Sequence, residues 1–196
     1  MIAFALAVFF LIATPGPGVL SIAGIGSGFG FSSGLRFLCG LCLGNFLVGL
    51  AVVSGLAALI FSVPYLREIL LVLSLSYLMY LALKIALAGN EVAFIKADRV
   101  PGFIDALLLQ AINPKAYAVN ATVFSGFAFM PDSFLQETVI KFIIFNLVWI
   151  PLHFAWLYAG ASLKKLNLPT HVQRAINISM AVSMLVIVAL AVIAEI

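Results

Sequence analysis

Two short motifs place a helix-capping residue next to proline inside apolar segments of the chain. The first consists of Thr14, Pro15, Gly16, Pro17 and Gly18, and the second of Asn113, Pro114 and Lys115. Thr and Asn favour the N-cap of a helix and proline favours its first position, so each motif predicts a helix that stops and starts again. The N–H groups and positive dipole end of a restarted helix attract anions such as a carboxylate. Both motifs are therefore predicted to bind substrate; the alternative is that the prolines only kink two helices.

Further polar side chains interrupt the apolar segments. Lys115 either meets a substrate carboxylate or caps backbone carbonyls of the first break. Asn45 and Asn120, the latter seven residues after Asn113 and so on the same helix face, either line a polar path or hold helices together by hydrogen bonds. Asn45, Asn113, Lys115 and Asn120 are therefore candidate substrate-binding residues.

Two titratable side chains are candidates for proton coupling. His153 is a side chain whose unperturbed pKa lies near neutrality, and Asp105 is the acid closest to the pore on the inner side. The alternatives are a hydrogen-bonded core histidine and an ordinary first-turn acid that the helix dipole favours. A lone histidine predicts no metal site, because zinc takes three or four protein ligands in most sites. No cofactor is expected either.

The composition indicates whether the segments that carry these residues lie in water or in lipid. Of 196 residues, 65% are hydrophobic and 9% charged, against roughly 25% charged in soluble domains. Apolar runs recur along the whole length, so the chain is predicted to lie in a lipid bilayer. The net charge of +3 is scattered over short linkers, which disfavours nucleic-acid binding.

Six apolar segments are long enough to cross a bilayer core, which takes about 20 residues. They cover approximately residues 1–25, 37–61, 69–87, 103–129, 139–163 and 176–193. The fold class is therefore predicted to be an all-α membrane protein with six transmembrane helices, in which helices 1 and 4 are broken.

Each half of the chain is predicted to cross the membrane three times. Because three is an odd number, the two halves have opposite orientations in the membrane. Repeat one covers about residues 1–88, a cytoplasmic linker about 89–102, and repeat two about 103–196, within a single membrane domain. Both breaks fall roughly 15–20 Å deep at 1.5 Å per residue, near the middle of the core. Broken helices at matching positions of inverted repeats predict a transporter's binding site.

Orientation follows from the Lys and Arg residues on each side. One side carries Arg36, Lys84, Lys96, Arg99, Lys164, Lys165 and Arg174, and the other carries Arg67 and Lys141. The first side is predicted to be cytoplasmic, which puts both termini outside.

Small residues and two cysteines share the second apolar segment. Gly40, Gly44 and Gly49 predict close helix packing, within one chain or between copies, so a homodimer is possible. Cys39 and Cys42 form a C-x-x-C pair, which predicts either small-residue packing or a redox thiol pair.

The two motifs also carry a family resemblance. The first, followed by Gly28, Gly34, Gly40 and Gly44, resembles the first-helix signature of the LysE/RhtB family of bacterial amino-acid exporters. The segment from Tyr77 to Leu81 is similar to the family's third-helix pattern, and Phe103 with Asn113-Pro114-Lys115-Ala116 to its fourth-helix signature. Family members often carry a polar residue at the position of Gly18 and Asp at that of Asn45.

The resemblance implies a secondary transporter in the bacterial cytoplasmic membrane. Its expected activity is export of an amino acid or similar small polar metabolite by antiport, driven by a proton gradient; it is not expected to be an enzyme. A thiol-redox carrier that uses Cys39 and Cys42, or a small inorganic-ion exporter, are the alternatives. No Walker-type phosphate loop is present, which disfavours ATP hydrolysis by this chain.

Overall fold

The computed structural model describes residues 1–13, 16–56, 100–130 and 132–166, with isolated positions between 62 and 83 and between 169 and 186. Six α-helices lie in the continuous ranges: α1 Ile2–Ala13, α2 Pro17–Phe29, α3 Phe31–Val53, α4 Phe103–Ile112, α5 Pro114–Gly126 and α6 Phe134–Lys165. The described residues contain no strand. Predicted spans three and six lie largely outside them, as do Thr14, Pro15 and most of the predicted cytoplasmic linker.

Helices α3 and α6 are each long and apolar enough to cross a membrane. Helices α1 and α2 form a third such span if they are counted together, with a bend of 55° between them. Helix α4 is apolar but has only 10 residues. The all-helical class is confirmed, whereas the six-span repeat stays a prediction.

The boundary between the first two spans differs from the prediction. The sequence predicted a linker over residues 26–36, but α2 continues to Phe29 and α3 begins at Phe31, so only Gly30 separates them. Gly30 has a φ of 89°, which favours glycine and permits the abrupt turn. The neighbouring glycines serve packing instead of a loop: a Cβ on Gly26 would lie 2.8 Å from the carbonyl oxygen of Leu157 in α6.

The two broken helix pairs run antiparallel, with their breaks side by side. Near the start of α1, the Phe4 ring contacts the rings of Phe127 and Phe129, just beyond the end of α5. At the other end of α1, Gly16 packs against Lys115, at the start of α5. The contacts occur in opposite order along the two pairs, which is the relation that inverted spans one and four require.

Helix α6 runs parallel to α1 and α2 and covers both. Its Lys141 Nζ lies 6.0 Å from the centre of the Phe4 ring, its His153 faces Gly18, and its Leu157 packs on Gly26. The core of the bundle, to which α3 and α4 also contribute, contains Phe4, Ile22, Phe37, Leu41, Leu109, Phe145 and Leu157, all fully buried. Large apolar side chains such as Leu147 are exposed on the outer faces, as lipid contact requires.

Lys141, which the sequence predicts to lie on the outer side, is buried beside the α5–α6 loop. Its side chain is only 4% exposed. Lys141 Nζ lies 2.8 Å from Glu137 Oε1 and donates to the Phe124 carbonyl at 2.9 Å. Glu137 Oε2 accepts from the backbone N–H groups of Phe129 and Met130. The lysine is buried because these oxygens satisfy its ammonium group, and the Lys/Arg bias does not depend on it.

Candidate functional site

A cavity lies where the two breaks meet. Its empty volume is about 390 Å³, including the space at its mouth. The predicted site residues that line it are Gly16, Pro17, Gly18, Asn45, Asn113, Lys115 and His153. Asn120, Pro114 and Asp105 are not among the lining residues, and Thr14 and Pro15 lie outside the described residues.

The first break restarts later than predicted. The sequence placed the cap at Thr14 and the first helical residue at Pro15, but Gly16 is the N-cap and Pro17 takes the first helical position. Two prolines two residues apart offer two possible starts, and the helix uses the second. A Cβ on Gly16 would lie 2.8 Å from Lys115 Cδ and 2.9 Å from its Nζ, so a larger residue here would displace the end of the lysine side chain.

The start of α2 has no side-chain cap. The Leu20 N–H donates to the Gly16 carbonyl, whereas the N–H groups of Gly18 and Val19 have no side-chain acceptor at the N-cap residue, which has no side chain. Lys115 Nζ lies beside this same helix start. A cation next to a positive dipole end is an arrangement that an anion between them stabilises.

The second break confirms the predicted cap. Asn113 is the N-cap of α5, its Oδ1 accepts from the Lys115 N–H at 3.1 Å, and Pro114 takes the first helical position. The Tyr117 hydroxyl donates to the Ala111 carbonyl at 2.9 Å, which satisfies one of the last acceptors of α4. The break is thus tied on both sides by its own residues.

Four amide side chains form one hydrogen-bonded network beside the cavity. Asn113 Nδ2 donates to Gln110 Oε1 at 3.1 Å. Asn45 Oδ1 accepts from Gln110 Nε2 at 3.4 Å and from Asn120 Nδ2 at 3.1 Å. The network joins α3 to both halves of the broken α4–α5 pair, which is the interhelical role foreseen for the asparagines; a polar path stays a prediction.

Gln110 is the member of this network that sequence reasoning missed. It is buried and lines the cavity. Its signal was present: it is a single glutamine in an apolar segment, three residues before the Asn113 cap. The other end of the network leaves Asn120 Oδ1 buried without a hydrogen-bond partner among the described residues.

His153 enters the cavity wall from α6. Its ring stacks on Trp149, with centroids 3.6 Å apart and planes 16° from parallel. His153 Nδ1 lies 2.9 Å from the Trp149 carbonyl oxygen, which can only accept, so Nδ1 carries the hydrogen in this bond. In the neutral ring Nε2 then holds the lone pair, and it faces Gly18 at the start of α2.

Asp105, the other candidate for proton coupling, is not among the residues that line the cavity. Its Oδ2 accepts from the Gly102 N–H at 2.8 Å in a capping box at the start of α4. This is the first-turn role that the helix dipole favours. Of the two proton-coupling candidates, the structure therefore brings only His153 to the cavity.

The small residues of α3 face other helices of the same chain. A Cβ on Gly44 would lie 2.6 Å from Gln110 Cβ, and one on Gly49 would lie 2.8 Å from Phe142 Cε1. Cys39 is exposed and Cys42 is partly buried against the core. Glycine packing within the chain is thus observed, whereas a homodimer stays a prediction.

Comparison with known proteins supplies an independent result. A family model described as LysE type translocator matches residues 9–195. An uncharacterised membrane protein of Pseudomonas aeruginosa is 32% identical over 70% of this chain and 70% of its own length. Leucine efflux proteins of Salmonella choleraesuis and Salmonella typhimurium are each 29% identical over 69% of this chain and 65% of their own length. The chain thus spans about two thirds of the relatives that it matches, and no solved structure matches it.

Proposed function

The chain belongs to the LysE type translocator family, which comprises transporters and not enzymes, and on this premise we propose that it exports an amino acid across the bacterial cytoplasmic membrane. The single observation that carries the proposal is the meeting of Gly16 and Lys115, which joins both helix breaks in one cavity. The names of the leucine efflux relatives support an amino acid as the substrate class.

The substrate carboxylate binds between Lys115 and the start of α2. Lys115 supplies a positive charge, and the uncapped first turn of α2 supplies N–H groups and its dipole. The N–H groups belong to the backbone, and the Lys115 side chain packs on the backbone of Gly16. The site therefore needs little reorganisation to receive an anion.

Export proceeds by alternating access, with the two halves rocking around this cavity. In the orientation predicted from the Lys and Arg residues, the α5–α6 loop faces outward. The Phe4, Phe127 and Phe129 rings and Lys141 pack together on that side of the breaks and would form the outer closure.

A proton gradient drives the export, and His153 carries the proton. Its Nε2 is the nitrogen available to accept a proton at the cavity, while Nδ1 holds the ring in place on Trp149. Asp105 remains the second candidate, but its carboxylate caps α4 away from the cavity lining.

The test replaces the cation and follows transport. Purified protein in proteoliposomes is assayed for counterflow of radiolabelled leucine, with Lys115→Met, Lys115→Arg and the wild type compared. We expect Lys115→Met to weaken apparent leucine affinity at least tenfold, because the carboxylate loses its charged partner, and Lys115→Arg to lose less.

Arg36→Gln is the matched control, because it removes the same charge from an exposed position on α3 outside the cavity. Its transport should equal that of the wild type. Unimpaired counterflow in Lys115→Met would remove this lysine from substrate binding. Absence of counterflow for every amino acid in a panel with the wild type would refute amino-acid export.

A further inference from the structure

The walls of the cavity are polar on one level and apolar on the next. The polar level contains Lys115, His153 and the amides of Asn45, Gln110 and Asn113, beside the smaller apolar residues Val19 and Ala116. The apolar level contains Leu11, Ile12, Val119, Phe145 and Trp149. The two levels follow from the directions of α1, α5 and α6.

Three helices contribute to the apolar level from the same side of the breaks. Leu11 and Ile12 precede the first break, and Val119 follows Lys115 by one turn on the antiparallel α5. Trp149 and Phe145 lie one and two turns before His153 on α6. All five residues therefore lie on the side of the polar level that faces the α5–α6 loop.

The formal charge of the cavity lining is of one sign. Among the described lining residues no carboxylate occurs, and Lys115 supplies the formal positive charge. A cationic substrate side chain placed in the apolar level would be desolvated near Lys115 without an opposite charge. An anionic side chain there would be desolvated among Leu, Ile, Val and aromatic groups.

We propose, on the basis of the proposed function, that the cavity selects amino acids whose side chains are apolar and uncharged. The α-carboxylate binds at the polar level, and the side chain enters the apolar level between Leu11, Val119 and Phe145. Each further methylene buried there strengthens binding about fourfold, from the usual transfer free energy of a CH₂ group.

Competition measures this selectivity. Proteoliposomes of the wild-type protein take up radiolabelled leucine by counterflow in the presence of unlabelled alanine, 2-aminobutyrate, norvaline, lysine or glutamate. The half-inhibitory concentration should fall about fourfold from each of the three straight-chain competitors to the next. Lysine and glutamate should not compete at concentrations 100-fold above that of norvaline.

The outcomes separate the two proposals. If leucine and every competitor fail to be transported or bound, the proposed function fails and this inference fails with it. If amino acids are transported but lysine or glutamate competes as well as norvaline, the inference alone is overturned. Transport with no increase along the straight-chain series would overturn it as well.

A variant pair tests the position of the apolar level. Val119→Asp places a carboxylate there, whereas Val119→Asn places a polar side chain of the same shape without charge. We expect the Asp variant to admit lysine as a competitor and to lose leucine affinity more than tenfold. The Asn variant should lose leucine affinity without admitting lysine. Equal competition profiles in the two variants would contradict the placement, and the wild-type series decides the selectivity if the Asp variant does not fold.

Discussion

Substituting Gly44 by alanine separates α3 from α4 at the amide network. A Cβ there would lie 2.6 Å from Gln110 Cβ and 3.1 Å from its Cγ. Carbon atoms in contact prefer separations of about 3.5–4.0 Å, so the two helices must move apart by about 1 Å. Rotation of the glutamine side chain does not relieve the clash, because its Cβ is fixed to the backbone of α4.

The expected cost has two parts. Overpacking of a close interface costs roughly 1–3 kcal/mol. The Gln110–Asn45 hydrogen bond, already 3.4 Å long, breaks when the helices part, and such bonds between membrane helices contribute about 0.6 kcal/mol, up to about 1.7. We therefore expect Gly44→Ala to lower the free energy of unfolding by about 2–4 kcal/mol.

Thermal unfolding in detergent, followed by the fluorescence of Trp149 and Trp156, measures the effect. By the scaling of domains of this size, the midpoint should fall by about 5–15 °C. Gly126→Ala is the control, because a Cβ at Gly126 meets nothing within 4 Å, and its midpoint should stay equal or rise slightly. Equal midpoints for the two alanine variants would show that α3 and α4 do not approach each other as closely as described.

Two further substitutions probe the network and the proton-coupling residue. Asn45→Leu removes the acceptor of Gln110 and Asn120 and should destabilise the protein by about 1–3 kcal/mol, whereas Asn45→Asp keeps an acceptor and should cost less; thermal midpoints that rank the other way would contradict the network. His153→Gln should abolish accumulation driven by a pH gradient but leave leucine counterflow without a gradient; gradient-driven transport by this variant at the wild-type rate would exclude the histidine from coupling.

The helix breaks were predictable because capping residues and proline act locally. The Asn113 cap needed only its own side chain and the next two residues, and its predicted position was right. The restart at Pro17 was missed because either proline suits the first helical position, and the local sequence does not choose between them. Local rules locate a break but do not fix its first helical residue.

Other features that the sequence did not predict have the same physical origin. Glycine between residues 26 and 36 suits both a loop and a tight helix contact, and only the position of Leu157 shows which applies. The burial of Lys141 depends on Glu137 and on the Phe124 carbonyl, which come together only in the folded bundle. Gln110 belongs to the site because α3 lies within hydrogen-bonding distance, and no local pattern indicates that distance.

Asparagine at position 45 restricts which groups could serve the proposed proton coupling. Its Oδ1 already receives two amide donors, an environment that would also stabilise a carboxylate there. With asparagine in this place the network is neutral and takes up no proton. Among the described residues that line the cavity, Lys115 and His153 are the groups that can change charge, and the proposed site uses the lysine as a cation for the carboxylate. The proposed coupling therefore depends on His153, whose Nε2 faces the same helix start that is proposed to bind the substrate.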